Sequence, residues 1–373
     1  MEVEELRADA RAWLADQAAT APPDYGAICP PELIEEGRSW QRRLAEAGWA
    51  GIHWPAQHGG RGLSPAHQAA WIEECARAGV PPVLNMVGLV LAADSILRFG
   101  DPAQQERHLR RTLWGEQVWC QLFSEPGAGS DLASLTTAAE LDGDRFVVDG
   151  QKVWCSGGRV SDWGILLART DPGAPKHQGI SFFLIDMASP GIEVRPLRQM
   201  TGSSEFDEVF LTGVELPLDA LLGPLHGGWG VAMAVLTSER GHIGASVIGL
   251  RRRLEALAAV GSADESAALD PVTRNRLAGV LSRGQAAVAL GRRQGAEASV
   301  AGSLMKLGIT ELLYDSAMLR GDVAGAGALV DGPAAAGMLA APGGRIAGGT
   351  SQVQRTIIGE RILGLPREPP PRS

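Results

Sequence analysis

The chain has 373 residues, 45% of them hydrophobic and 21% charged, enough length for two or three domains and enough apolar material for substantial cores. The formal net charge is −9, and no Lys/Arg-rich run appears, which excludes nucleic acid as an expected partner; Arg251-Arg252-Arg253 reads as a solvated helix face. No uninterrupted apolar run approaches the ~20 residues needed to span a bilayer, so no membrane insertion is expected.

The N-terminus, Met1-Glu2-Val3-Glu4-Glu5, is acidic and lacks the apolar core of a signal peptide. Residues 1 to 117 then read as a helical domain. Leu6, Ala10, Trp13 and Leu14 recur near helical spacing. Pro55 to Gly62 is a loop by composition. Helical patterns resume from Ala66 to Ala78 and from Leu89 to Arg98. Asp101 before Pro102 predicts an N-cap followed by proline at the first helical position.

From 118 to 224 the pattern changes to short β-branched runs, at 145–148, 164–167, 181–185, 193–195 and 208–211. Asp142-Gly143 and Asp149-Gly150 read as turns between them. A small antiparallel β-domain is expected. Between 225 and 373 helices return: Trp229 to Val260, Pro271 to Gly291, Ala296 to Leu319, and Thr350 to Leu363. Four helices in sequence predict an antiparallel bundle. Gly321 to Gly344, rich in Gly, Ala and Pro, reads as a loose connection, and Pro366 to Ser373 as a frayed end. Cys29, Cys75, Cys120 and Cys155 lack CxxC spacing and disulfide-scaffold density, so a reduced, cytoplasmic setting without a metal site is expected.

Three short clusters stand apart from these periodic segments. Gln121-Leu122-Phe123-Ser124-Glu125-Pro126-Gly127-Ala128-Gly129-Ser130-Asp131 combines hydroxyls that donate and accept, a stiffening proline, and glycines that permit positive φ and close backbone approach. Such a loop makes a rigid polar rim for a flat, hydrogen-bonding ligand. Lys152-Val153-Trp154-Cys155-Ser156-Gly157-Gly158 offers a large aromatic face, then a hydroxyl, then two glycines. Gly348-Gly349-Thr350-Ser351-Gln352-Val353-Gln354-Arg355 lies near the C-terminus. In this order the three clusters resemble the acyl-CoA dehydrogenase family, over roughly residues 1 to 368.

The resemblance implies an α+β fold in three parts: an N-terminal helical domain (1–117), a middle β-domain (118–224) and a C-terminal four-helix bundle (225–373). It implies FAD as cofactor, an acyl-CoA as substrate, and electron-transfer flavoprotein as acceptor. Gln121, Phe123, Ser124 and Gly129 would line the flavin, largely through backbone groups. Trp154 would stack on its ring, and Ser156 would donate to it. Ser130 would meet the pantetheine arm, and Thr350 and Gln352 would reach the flavin or its phosphates.

Acyl-CoA dehydrogenation removes the α-hydrogen as a proton and the β-hydrogen as a hydride. It requires a carboxylate aimed at the α-carbon and hydrogen bonds that polarise the thioester. In much of the family that base is a glutamate immediately before the C-terminal Gly-Thr, where this chain has Gly348. The alternative is Glu239, directly before Arg240. Members similar to the isovaleryl and long-chain enzymes carry their glutamate there, with a small residue at the position of Gly348. Glu239 is therefore the expected base, with Arg240 beside it on the thioester side. Gly348 would leave room for a branched, long or polycyclic acyl chain.

One departure bears on assembly. Family homotetramers usually carry Arg-x-x-Phe-Gly and Gly-Gly-x-Gly motifs that touch a neighbour's FAD. Thr273-Arg274-Asn275-Arg276-Leu277 and Leu319 to Gly325 stand in their places. The pattern resembles actinobacterial dehydrogenases built as α2β2 heterotetramers, some of which act on steroid side-chain CoA esters, so a homotetramer and such a heterotetramer both stay open. Two other readings also stay open. One is a flavin-binding or shape-determining subunit of a heteromeric enzyme; the other is a flavin oxidase or monooxygenase on the same fold.

Overall fold

A computed structural model describes residues 1–26, 28–241, 250, 254–255, 257–258, 269–291 and 298–367. For 237–241, 291 and 298–301 it describes the backbone and not the side chains. The chain divides into two compact units, Met1–Glu239 and Arg240–Ser373.

The first unit opens with five helices: α1 (Val3–Gln17), α2 (Ile34–Glu46), α3 (Pro65–Ala78), α4 (Ala93–Phe99) and α5 (Pro102–Leu113). Helix α1 buries Leu6, Ala10 and Leu14, one face of a 3.6-residue period. It packs on α3 around Glu74, whose almost fully buried carboxylate receives Arg7, Arg11 and Arg77 at 3.2, 2.8 and 2.6 Å. Trp13, Trp40, Trp49 and Trp71 fill the space beside it, with the Trp49 and Trp71 rings stacked at 4.7 Å. The expected cap on α5 is present. Asp101 accepts from the Gln104 N–H at 2.8 Å, and Gln104 accepts from the Asp101 N–H at 3.1 Å. A π-helical stretch, Val87–Ala92, leads into α4.

Seven strands follow: β1 (Trp119–Leu122), β2 (Ala138–Asp142), β3 (Arg145–Ser156), β4 (Trp163–Arg169), β5 (Ile180–Asp186), β6 (Ile192–Leu197) and β7 (Phe206–Pro217). They form one sheet in the order β1-β4-β2-β3-β7-β6, with β5 pairing on β4. Leu122, Phe146, Val148, Leu166, Phe183, Ile185, Val209 and Leu211 form its core. Most pairings are antiparallel, as expected. The departures are both on β4: β1 runs parallel to it from Trp119↔Trp163 to Leu122↔Leu166, and β2 meets it in parallel at Ala138↔Arg169, because the chain makes a long excursion before β4 in each case. Asp142-Gly143 opens the β2–β3 hairpin, Gly143 at φ 65°. Asp149-Gly150 is not a turn. Strand β3 runs on through it, with a register slip against β7 between Val148 and Gly150. Gly150 is required there because a Cβ would run into the Thr137 backbone and side chain.

Helix α6 (Gly228–Gly241) carries the chain out of the first unit, its Gly228 pressed against the Ser181–Phe182 backbone. The rest of the helix expected to Val260 lies largely outside the described residues.

The second unit contains α7 (Pro271–Gly291), α8 (Ala298–Ala324), α9 (Pro333–Ile346) and α10 (Ser351–Ile357). Leu250, Leu254, Leu277, Val280, Met305, Ile309 and Leu312 belong to its core. The loose connection expected over Gly321–Gly344 is instead mostly helical. Helix α8 runs on to Ala324, and α9 begins with Pro333 in its first turn. Alanines at 334, 335, 336, 340 and 341 supply the helix propensity that outweighs the interspersed glycines. Gly321 lets α8 approach α9 closely, since a Cβ there would run into Met338.

Candidate active site

The segment after β1 is a tight, internally bonded loop. Glu125 and Ala128 exchange two backbone hydrogen bonds, at 3.1 and 3.0 Å. Pro126, Gly127, Gly129 and Ser130 are exposed at its tip. Gly127 and Gly129 do not use the left-handed region that their presence suggested. Their contribution is bareness: a Cβ on either would meet nothing within 4 Å. Phe123 turns its side chain inward, edge-on to Phe182 at 5.7 Å, which leaves its backbone for the loop. Gln121 and Ser124 are half-buried.

Strand β3 runs alongside this loop and carries the second cluster. Its pairing with β7 is regular at Lys152↔Val209 and resumes at Cys155↔Asp207, so one extra residue is accommodated on β3. At this bulge the Val153 N–H donates to the Ser124 carbonyl at 2.9 Å. Trp154 then adopts φ 61°, a left-handed conformation that a bulky L-residue rarely takes. The result is an indole 55% exposed, braced edge-on against Phe206 at 5.9 Å. Bulges re-aim side chains, and such strain concentrates at functional sites.

Ser156 ends β3 half-buried, and Gly157 follows at φ 62°. Both line a small, mainly apolar cavity with Cys29, Asn85, Val87 and Val160. On the paired strand β7, Asp207 is fully buried and accepts from Arg159 through N–H (3.0 Å) and Nε (2.9 Å). Burial raises its pKa, and Arg159 only partly offsets this.

Two residues passed over in the sequence hold these pieces together. Lys152 is wholly buried; its ammonium lies 2.9 Å from Glu125 Oε1 and donates to the Phe123 carbonyl at 3.1 Å. The Glu125 carboxylate also accepts from the Thr136 N–H (2.7 Å), the Thr136 hydroxyl (2.9 Å) and the Thr137 N–H (2.9 Å). Burial opposes its charge, but Lys152 and these donors outweigh burial and hold its pKa down to about 2. The signal was in the sequence: a lysine inside an otherwise core-forming strand needs a buried acid nearby.

The third cluster lies in the second unit. Gly348 and Gly349, at φ 64° and 95°, turn the chain between α9 and α10. Thr350 caps α10, accepting from the Val353 N–H at 3.2 Å, and Gln352 is exposed. Glu311 on α8 receives the Ser351 hydroxyl at 2.6 Å and Arg345 at 3.1 Å. Gln354 donates to the Gly348 carbonyl at 3.2 Å. Arg276 forms an ion pair with Asp322 at 2.6 Å, and Arg274 donates to the Leu269 carbonyl at 3.1 Å. Glu239 and Arg240 lie on the backbone of α6; their side chains are outside the described residues.

In the first unit, then, Gln121, Phe123, Ser124, Gly129, Ser130, Trp154 and Ser156 belong to one stretch of sheet and its loop. An exposed aromatic face, nearby hydroxyls and bare glycines fit a flat ligand with a polar edge, as a flavin is.

Comparison with known proteins covers most of the chain. Residues 1–116, 120–214 and 226–363 match the N-terminal, middle and C-terminal domains of acyl-CoA dehydrogenase respectively. Acyl-CoA dehydrogenase IpdE1 of Mycobacterium tuberculosis is 41% identical, over 98% of this chain and 99% of its own length. Acyl-CoA dehydrogenase FadE34 of the same organism is 40% identical over 95% of this chain, which spans 50% of FadE34. Among solved structures, the Tcur3481-Tcur3483 steroid ACAD superposes with a TM-score of 0.81 at 28% identity, covering 98% of both chains. The ChsE4-ChsE5 complex from M. tuberculosis gives 0.80 at 28%, again covering 98% of both.

Proposed function

Because the chain belongs to the acyl-CoA dehydrogenase family, we propose that it catalyses FAD-dependent α,β-dehydrogenation of an acyl-CoA thioester with a bulky, branched or long acyl chain. The observation that carries this reading is the presentation of Trp154: a strained, exposed indole on a bulge hydrogen-bonded to Ser124. Bound FAD supplies the hydride acceptor. Trp154 offers an apolar face to the ring, and the Ser156 hydroxyl donates to its polar edge. Gln121, Phe123, Ser124 and Gly129 form the rim, and Ser130 lies at the exposed tip, where the pantetheine arm would pass.

Glu239 is the proposed base: its carboxylate takes the α-proton, and Arg240 favours the ionised form beside it. Gly348 is proposed to leave room beside the reacting carbons, and Thr350 and Gln352 to reach the flavin or its phosphates. The division at 1–117, 118–224 and 225–373 is part of the proposal. It is supported by the three matched segments. Electron-transfer flavoprotein is the proposed acceptor, and the cytoplasm the proposed location; among the described residues no helix is long and apolar enough to cross a membrane.

Assembly follows from the phosphates. The FAD pyrophosphate needs charge-assisted donors. The motifs that usually provide them across subunits are missing, and Arg276 is already paired with Asp322. A second, related subunit in an α2β2 tetramer would provide them. The two-protein names of the steroid ACAD and ChsE4-ChsE5 structures support this reading over a homotetramer. Expressed alone, the chain should bind FAD substoichiometrically; with an adjacent homologue, occupancy should rise to about one FAD per pair. A fully active homotetramer with one FAD per chain would refute the heteromer. A colourless complex would favour a non-catalytic, shape-determining role for this subunit.

A further inference from the structure

We propose that the buried Glu125–Lys152 pair is the positioning element of the flavin rim, fixing Trp154 and Ser124 relative to each other while touching neither cofactor nor substrate. This rests on the FAD-binding reading above.

The geometry carries it. Glu125 ties three separate stretches: its own loop, Thr136 and Thr137 at the entry to β2, and Lys152 on β3. Lys152 in turn holds the Phe123 carbonyl, the residue before Ser124. It is also the last residue of β3 in regular register before the bulge. Beyond it, Val153 bonds to Ser124, and Trp154 turns into the left-handed region. Loop and bulge are therefore clamped at two adjacent points, one ionic and one through the backbone.

A buried ion pair is a poor device for stability alone, since a well-packed apolar pair of similar volume serves as well or better. Its advantage here is that it joins separate segments. The ammonium draws the Glu125 carboxylate and the Phe123 carbonyl to one enclosed point, and that point lies where the strained tryptophan begins. Lys152 is fully enclosed and Glu125 nearly so, so neither side chain reaches a ligand at the loop surface.

The test compares wild type with the double variant Glu125→Gln/Lys152→Met, each purified with any partner subunit the wild type requires. Removing both charges avoids stranding either one, although the Phe123 carbonyl and one of the Thr136–Thr137 donors lose a partner, so the double variant should fold with a lowered melting temperature and is compared well below it. FAD titrated into the apoprotein should bind about tenfold more weakly. The visible spectrum of the bound flavin should change, and reduction by acyl-CoA should slow up to about 100-fold, as expected for a misplaced reacting partner. A folded double variant with wild-type FAD affinity and spectrum overturns the inference. Should the double variant not fold, Lys152→Arg keeps the charge on a longer, planar head. An altered flavin spectrum and weaker FAD binding in that variant support positioning, and wild-type values overturn it. Wild-type protein that takes up no FAD overturns the FAD reading itself, and this inference with it.

Discussion

The sheet-borne and helix-borne residues of the proposed site are held by opposite means. On the sheet, Lys152 and Glu125 have side chains 0% and 5% exposed. On the helices, the Gly348–Gln352 turn is braced by Glu311, Arg345 and Arg355, exposed to 26%, 37% and 58%. Charges in the first setting are screened little by salt, and those in the second are screened strongly. The two-glycine turn adds backbone freedom that a β-bulge locked by cross-strand bonds lacks. The difference is the one expected if, as proposed, the sheet-borne rim serves an invariant cofactor and the helix-borne turn a variable acyl chain.

The largest effect separates the two halves by chemistry. Glu239→Gln should lower kcat by about 10²–10⁴-fold, the usual cost of losing a positioned base, while FAD content and acyl-CoA binding stay at wild-type level. Wild-type turnover in that variant would move the base elsewhere. Next is Gly348→Glu. The backbone there sits at φ 64°, so any side chain costs about 1–2 kcal/mol of left-handed strain. Beyond that strain, kcat/KM should fall about 100-fold for polycyclic acyl-CoAs and far less for short linear ones. Equal losses for both, or a wild type that prefers butyryl-CoA to every bulky substrate, would remove the role given to Gly348.

On the sheet side, Trp154→Ala keeps the strained backbone and deletes the apolar face. FAD retention should weaken about tenfold, the scale of one aromatic contact, with slower flavin reduction. Full occupancy and an unchanged visible spectrum would make Trp154 a packing residue only. The smallest effect distinguishes the two electrostatic braces. Glu311→Gln should cost about 1 kcal/mol or less, as for a partly exposed pair, and the loss should shrink further in high salt. The hydrogen bond from Ser351 is the largest influence lowering the Glu311 pKa. Glu125 is also depressed, from 4.5 to about 2. Its contribution is therefore complete above about pH 4.5 and is lost as pH falls toward 2. Near-ultraviolet circular dichroism of wild type should hold to about pH 4.5 in both low and high salt; early loss with added salt would contradict a buried brace.

Much of this was legible beforehand, for reasons that particular residues make plain. Leu6, Ala10 and Leu14 mark α1 by period, and Asp101 before Pro102 marks the start of α5 by capping chemistry. The three clusters were visible because glycines, hydroxyls and a tryptophan in fixed order have no ordinary core role. Asp149-Gly150 misled because Asp-Gly serves a bulge as well as a turn; only the proximity of Thr137, distant in sequence, distinguishes them. Gly321–Gly344 misled because glycine suggested a loop, whereas five alanines and packing against α8 carry α9. The Glu125–Lys152 pair left one trace, a lysine inside a core-forming strand, but which acid it meets depends on burial, which a motif does not state. Nor does spacing alone foretell that Trp154 would be turned outward by one extra residue on β3.

The most direct test is anaerobic titration of the purified yellow protein, with any partner it needs, by a bulky acyl-CoA, wild type beside Glu239→Gln. Bleaching of the wild-type flavin band without oxygen, together with a Glu239→Gln protein that binds the ligand yet stays yellow, is the result this account predicts. A wild type that stays yellow under every acyl-CoA, or a Glu239→Gln protein that bleaches at the wild-type rate, would contradict it.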